Sequence, residues 1–227
     1  MKKVFIGAGH GGADPGAIAR DKTKEKDLNL SIAKACGAYL ERHGVQVRYS
    51  RTRDESDPVA QEVAECNSFA PDLAVDVHNN AGGGDGAEVY HAIRGGTGKS
   101  LAVNILAEIA KLGQRSRGAK TRANSAGRDY YAFIRDTKAP AVIVECAFVD
   151  SADLAIIDTE AERIKMGEAI ARGVLLMLGI DEKPPQSPTE PSKLYRVQTG
   201  AFKDKRRAEA EVARLARLGI KAAITTT

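Results

Sequence analysis

The chain has 227 residues, of which 43% are hydrophobic and 28% charged, with a formal net charge of +4. That balance sits near the globular average and excludes a disordered or collagen-like chain. No stretch approaches the roughly 18 apolar residues of a membrane span, and the length suits one ordinary domain with a small appendage.

The first seven residues reach glycine, and then His10, before any signal-like apolar region develops. They read as a buried strand over 3–7, not as a secretory leader. From Glu25 to Arg42, apolar residues recur at Leu28, Ile32, Ala35, Tyr39 and Leu40, which is helical spacing stopped by His43 and Gly44. Residues 45–50 alternate as a strand, and 57–69 suit a helix. A second buried run over 73–77 ends at His78, and a short strand follows over 87–90. Ser100 is placed to cap a helix running to Leu112. A third buried run over 141–144 ends at Glu145. A long amphipathic helix over 159–178 closes at Gly179. Strands alternating with helices predict an α/β domain with a mostly parallel sheet.

The charge is unevenly spread. Residues 1–181 carry 24 basic and 25 acidic side chains, whereas residues 182–227 carry ten and five. Between the two regions, four of the eight prolines fall within residues 181–192. Proline fixes φ and removes a donor, so this segment reads as a stiff, polar linker. The expected organisation is a catalytic domain over 1–181, a linker over 182–193 and a basic module over 194–227. In that module a strand (194–199), a helix marked by Ala208, Val212, Leu215 and Leu218, and a second strand (220–224) form one βαβ unit. It is too small to bury a convincing core alone.

Cys36, Cys66 and Cys146 show no paired spacing. They read as buried free thiols, and they suggest synthesis in a reducing cytosol. The run from Arg94 to Ser100 ends like a phosphate-binding loop. The full pattern needs glycine where Ile93 stands, so nucleotide binding is not expected.

The chemistry gathers at predicted strand ends. In open α/β sheets, ligands bind beyond the carboxyl ends of the strands. His10, His78 and Glu145 each follow a buried run, and Glu25 in the first turn of its helix can return to the same edge. Two imidazoles and one carboxylate make a catalytic zinc ligand set, and a further carboxylate can take the proton of water. Taken singly, a histidine at a strand end is an ordinary hydrogen-bonded residue, and a glutamate in a first turn complements the helix dipole. Glu145 is harder to set aside, because a carboxylate after Ala-Val-Ile-Val is costly to bury unless paired or coordinated. His43 and His91 read as unremarkable, one at a helix end and one after an exposed strand.

Four motifs stand in order: GAGHGGADPGA from Gly7, KEKDLNL from Lys24, VDVHNNAGGGDGAEVYH from Val75, and PAVIVECAFVDSADL from Pro140. Over residues 1 to about 180 this resembles the zinc-dependent N-acetylmuramoyl-L-alanine amidases of the Amidase_3 type, found among phage endolysins and bacterial autolysins. The resemblance implies an open, twisted, mostly parallel sheet of the zinc amidase/phosphorylase-hydrolase kind. It implies one zinc ion on His10, Glu25 and His78, with Glu145 as the catalytic carboxylate. Asn79 and Asn80 are candidate substrate or supporting groups. Val75-Asp76-Val77 departs from the family, which often has a small residue such as serine before this histidine.

The start of the tail, from Leu194 to Phe202, resembles half of a SPOR-type module, a family that binds peptidoglycan. A half module leaves three outcomes open: pairing with a second copy across a dimer, docking on the catalytic domain, or completion by residues beyond the end of this sequence. The implied activity is hydrolysis of the amide between N-acetylmuramic acid and L-alanine. The alternatives are a zinc peptidase cutting within the stem peptide and a non-catalytic wall-binding protein. The expected partner is bacterial peptidoglycan, without nucleic acid or a membrane span. Made without a signal peptide, such an enzyme is expected to reach the wall through holin-type release or cell lysis.

Overall fold

The computed structural model describes residues 1–182, 200–218, 220 and 222–224. The chain divides into two compact units, Met1–Lys183 and Pro184–Thr227. The first holds six strands: β1 (Lys3–Ala8), β2 (Gln46–Tyr49), β3 (Leu73–Asn80), β4 (Ala87–His91), β5 (Ser116–Lys120) and β6 (Ala141–Phe148). Its helices are α1 (Glu25–Arg42), α2 (Val59–Phe69), α3 (Thr97–Ala110), α4 (Ala132–Asp136) and α5 (Glu160–Leu178).

The sheet order is β2-β1-β3-β6-β4-β5. Every neighbouring pair is parallel except β4 with β6, which is antiparallel. Val4, Ile6, Val75, Val77, Val142 and Val144 point to one face and pack with α1, α3 and α5. Phe5, Ala74, Ala141 and Ile143 point to the other and pack with Phe133 and Ile134 of α4 and Cys66 of α2. The central strands are apolar on both faces because helices cover both.

The predicted α1 agrees with the structure at both ends. Helix α5 starts at a capping box, in which Thr159 accepts from the Glu162 amide and Glu162 accepts from the Thr159 amide. Such a cap contributes about 1 kcal/mol. The cysteines are buried and free, as expected.

Three expectations need correction. Ser100 does not cap α3: the helix begins a turn earlier, after Gly96, and Ser100 lies within it. His78 and Glu145 do not end their strands, because β3 runs on to Asn80 and β6 to Phe148. His91 does not follow an exposed strand, because β4 is an interior strand of the sheet and His91 is buried. Strand β5 was not legible as a strand, being short, polar and at the sheet edge.

In the second unit, α6 (Lys205–Arg217) is capped by the Asp204 carboxylate, which accepts from the Arg206 amide. The predicted strand over 194–199 lies outside the described residues. Of the second predicted strand, residues 220 and 222–224 are not in a strand.

Candidate functional site

Strand β1 delivers the chain to Gly9 and His10 at the sheet's edge. His10 adopts φ 65°, a left-handed conformation costing a non-glycine residue about 1–2 kcal/mol. The turn is closed by paired backbone hydrogen bonds between Gly11 and Asp14 (3.0 and 3.1 Å). It brings the Asp14 carboxylate to His10 Nδ1 at 2.8 Å, which aims Nε2 toward Glu25 Oε2 at 3.2 Å.

Glu25 opens α1, so its carboxylate lies over the end of the sheet. Its Oε2 accepts from the Ala17 amide (2.9 Å), and its Oε1 accepts from the Asn79 amide (3.1 Å) and from Asn29 Nδ2 (3.2 Å). His78 meets Oε1 through Nδ1 at 3.1 Å, while its Nε2 lies 3.0 Å from Asp76 Oδ2. Asp76 and His78 are two apart on one strand and therefore share a face. The two imidazoles stand edge to face, 5.0 Å between centroids.

Glycine is required where these groups crowd the backbone. A Cβ at Gly9 would fall 2.1 Å from the His78 ring. One at Gly16 would fall 2.6 Å from both Glu25 Oε2 and the His10 ring.

One donor atom from each of His10, Glu25 and His78 lies within 4.8 Å of the other two. The set is two neutral-capable imidazoles and one carboxylate, each imidazole carrying a carboxylate on its remote nitrogen. That is the donor chemistry and outer support of a zinc site, so these residues fit the ion. Burial works to raise the Glu25 pKa, yet hydrogen bonds with His10 and His78 hold it well below the carboxylate range. His10 is raised chiefly by its hydrogen bond to Glu25. His78 is opposed by burial but raised well above its ordinary value by Asp76 and Glu25.

Glu145 sits opposite His78 in the β3–β6 register. It is half-buried, and its Oε2 is buried without a hydrogen-bond partner. Burial pushes its pKa up to about 7; His78 opposes this, and Glu25, Glu88 and Asp76 add to it. A carboxyl poised near neutrality beside a metal-type donor set can accept and return a proton.

The two asparagines face opposite ways. Asn79 is buried toward α1, with its Nδ2 on Asn29 Oδ1 at 2.8 Å. Asn80 donates through Nδ2 to Glu88 Oε1 at 3.0 Å. Of the other histidines, His43 is buried at a helix end with its Nδ1 2.8 Å from the Tyr39 carbonyl oxygen. His91 Nδ1 lies 2.9 Å from the Ala92 carbonyl oxygen. Sequence reasoning missed Asp14, Asp76 and Asn29. The spacings His10–Asp14 in a turn and Asp76–His78 in a strand were the available signals.

Comparison with known proteins places these residues in a family setting. The family profile described as N-acetylmuramoyl-L-alanine amidase matches residues 4–175, and that of the SPOR domain matches residues 191–227. The N-acetylmuramoyl-L-alanine amidase CwlM of Bacillus licheniformis is 34% identical over 99% of this chain and 85% of its own. A sporulation-specific N-acetylmuramoyl-L-alanine amidase of Bacillus subtilis (strain 168) is 31% identical over 92% of this chain and 78% of its own. Among solved structures, Cwp6 from Clostridium difficile superposes with a TM-score of 0.77 at 34% identity, over 78% of this chain and 29% of Cwp6.

Proposed function

The chain belongs to the N-acetylmuramoyl-L-alanine amidase family, and from that premise we propose that it hydrolyses the muramoyl–alanine amide of peptidoglycan with one zinc ion held by His10, Glu25 and His78. The observation that carries this reading is the close grouping of those three donors beside the unpartnered carboxyl of Glu145.

When bound, zinc supplies Lewis acidity to the scissile carbonyl and to water. The protein's own residues do the rest. Asp14 and Asp76 fix the ring orientation and tautomer of His10 and His78. Asn29, the Asn79 amide and the Ala17 amide hold the Glu25 carboxylate in place. Glu145 Oε2 accepts the proton of the attacking water and returns it to the departing alanine nitrogen. In the same reading residues 1–181 carry catalysis, and the basic module from 194 holds the enzyme to the wall, pairing with a second copy.

The test is mass spectrometry of purified walls digested by the full chain with zinc. The expected products are intact stem peptides with a free alanine amino group. New termini inside the stem peptide would overturn the assignment in favour of a peptidase.

A further inference from the structure

A second built cluster lies on the flank of Glu145 away from His78. Glu88 faces Glu145 directly in the β4–β6 register. Its side chain is 4% exposed and accepts from four donors: Asn80 Nδ2 and the Tyr90 hydroxyl (both 3.0 Å) on Oε1, Arg117 Nε (2.6 Å) and Lys120 Nζ (2.5 Å) on Oε2. One carboxylate is thus held under two cations, and the cluster keeps a surplus positive charge. Arg117 and Lys120 are each about one-third exposed (32% and 34%). Arg117 uses only Nε on Glu88 and lies 5.0 Å over the Phe148 ring, so the rest of its guanidinium fork remains for a ligand.

Resting on the amidase reading above, we propose that Arg117 and Lys120 form the subsite for a carboxylate of the stem peptide, on the leaving side of the scissile amide. Both cations rest on Glu88 Oε2, and β4 lies one strand spacing of about 4.8 Å from β6, so the subsite begins about 5 Å beyond Glu145. A two-residue peptide spans about 7 Å, enough to bring a carboxylate of its second residue to the two cations. The direction follows from charge. The muramoyl carboxyl is consumed in the amide and the glycan is neutral, so the peptide carries the anions. An anionic chain is therefore drawn toward β5.

The experiment compares N-acetylmuramoyl-L-alanyl-D-glutamate with the same compound carrying its α-carboxyl as an amide. The zinc-loaded full chain is set against an Arg117→Gln, Lys120→Gln, Glu88→Gln triple variant, which leaves no orphaned buried charge. The wild-type chain should prefer the acid by about tenfold or more in kcat/KM, mostly through KM. The triple variant should lose that preference, its acid-to-amide ratio of kcat/KM falling to about one. Equal use of both compounds by the wild-type chain, or a preference that survives in the triple variant, overturns the subsite. Calorimetry with the product L-alanyl-D-glutamate and its amide gives a second reading that needs no turnover. If neither compound is cut but the acid still binds more tightly to the wild-type chain alone, the amidase reading fails and the subsite stands. If it does not, the subsite fails too.

Discussion

Glu145 and Glu88 stand side by side on adjacent strands, opposite one another in register, Glu88 buried and Glu145 half-buried with its Oε2 shielded from water. Their chemistry nevertheless diverges. Burial raises the Glu145 carboxyl to about 7, and its Oε2 finds no partner. Glu88 feels the same push from burial, but Lys120, Arg117 and Tyr90 more than offset it and hold its pKa below the usual value. Burial alone therefore does not make a catalytic carboxylate. What matters is burial with the hydrogen-bonding capacity left open, and the sheet builds one of each within a single strand spacing. By our proposal one moves a proton, and the other is locked as a counter-charge.

The largest effect should come from closing the open member of the pair. Glu145→Gln keeps the shape and removes the proton acceptor. Hydrolysis should fall by about 10²–10⁴-fold while the protein still binds one zinc, measured by metal quantification beside product analysis. Loss of zinc together with activity would mean that Glu145 is a ligand instead. The same variant tests the pair through stability. A carboxyl whose folded pKa lies above its unfolded value of 4.5 adds stability below pH 4.5 that is lost as pH rises to about 7. The loss is on the order of 3 kcal/mol. Glu88, with a lowered pKa, runs the other way: its stability is present above the unfolded value and lost as the solution is acidified through its folded pKa. Denaturant unfolding under chelator between pH 4 and 8 should show Glu145→Gln overtaking the parent near neutrality. Parallel curves for the two proteins would contradict the raised Glu145 pKa.

A smaller effect is expected one strand over, at the support of His78. Asp76→Asn weakens the acceptor on Nε2 that directs Nδ1 toward Glu25 and, by our proposal, the metal. Zinc affinity should fall by about 10–100-fold, read by competition with a chelator. An unchanged affinity would reduce Asp76 to a spectator. Because His10 and His78 both have raised pKa values, affinity in the parent should also drop steeply on acidification, as protons compete for both imidazoles.

Much of this was legible in the sequence. Helix α1 could be bounded because its apolar spacing, its terminal His43 and Gly44, and its first-turn acid agree. The buried runs of β1, β3 and β6 were visible because helices cover both faces of the sheet. His10, His78 and Glu145 stood out as charged or imidazole residues at the edge of those runs, and Glu25 as an acid in the first turn of α1. Asp14 and Asp76 did not, because a carboxylate near a histidine in sequence looks like any surface acid until the turn or pleat brings it round. The Glu88 cluster was less visible still. Nothing local in residues 87–91 says that β4 enters antiparallel between β6 and β5. That one reversal sets Glu88 against Glu145 and under Arg117 and Lys120, while β5 itself is too short and polar to read as a strand.

The mildest test removes one of the four donors from the locked member. Tyr90→Phe deletes a hydroxyl 3.0 Å from Glu88 Oε1 and keeps the ring, which packs 4.9 Å from that of Tyr131. Asn80 still bonds the same oxygen, and both cations still hold the other. The cost should therefore be about 1 kcal/mol, seen as a small fall in the denaturation midpoint with an unchanged slope. Glu88 lies beside Glu145 and adds to its raised pKa, but its three remaining donors keep its charge in place. Losing one of four should leave the pH profile of hydrolysis nearly in place. A profile displaced by a full unit would show that the two carboxyls titrate as one system, and the division between a locked and an open glutamate would have to be abandoned.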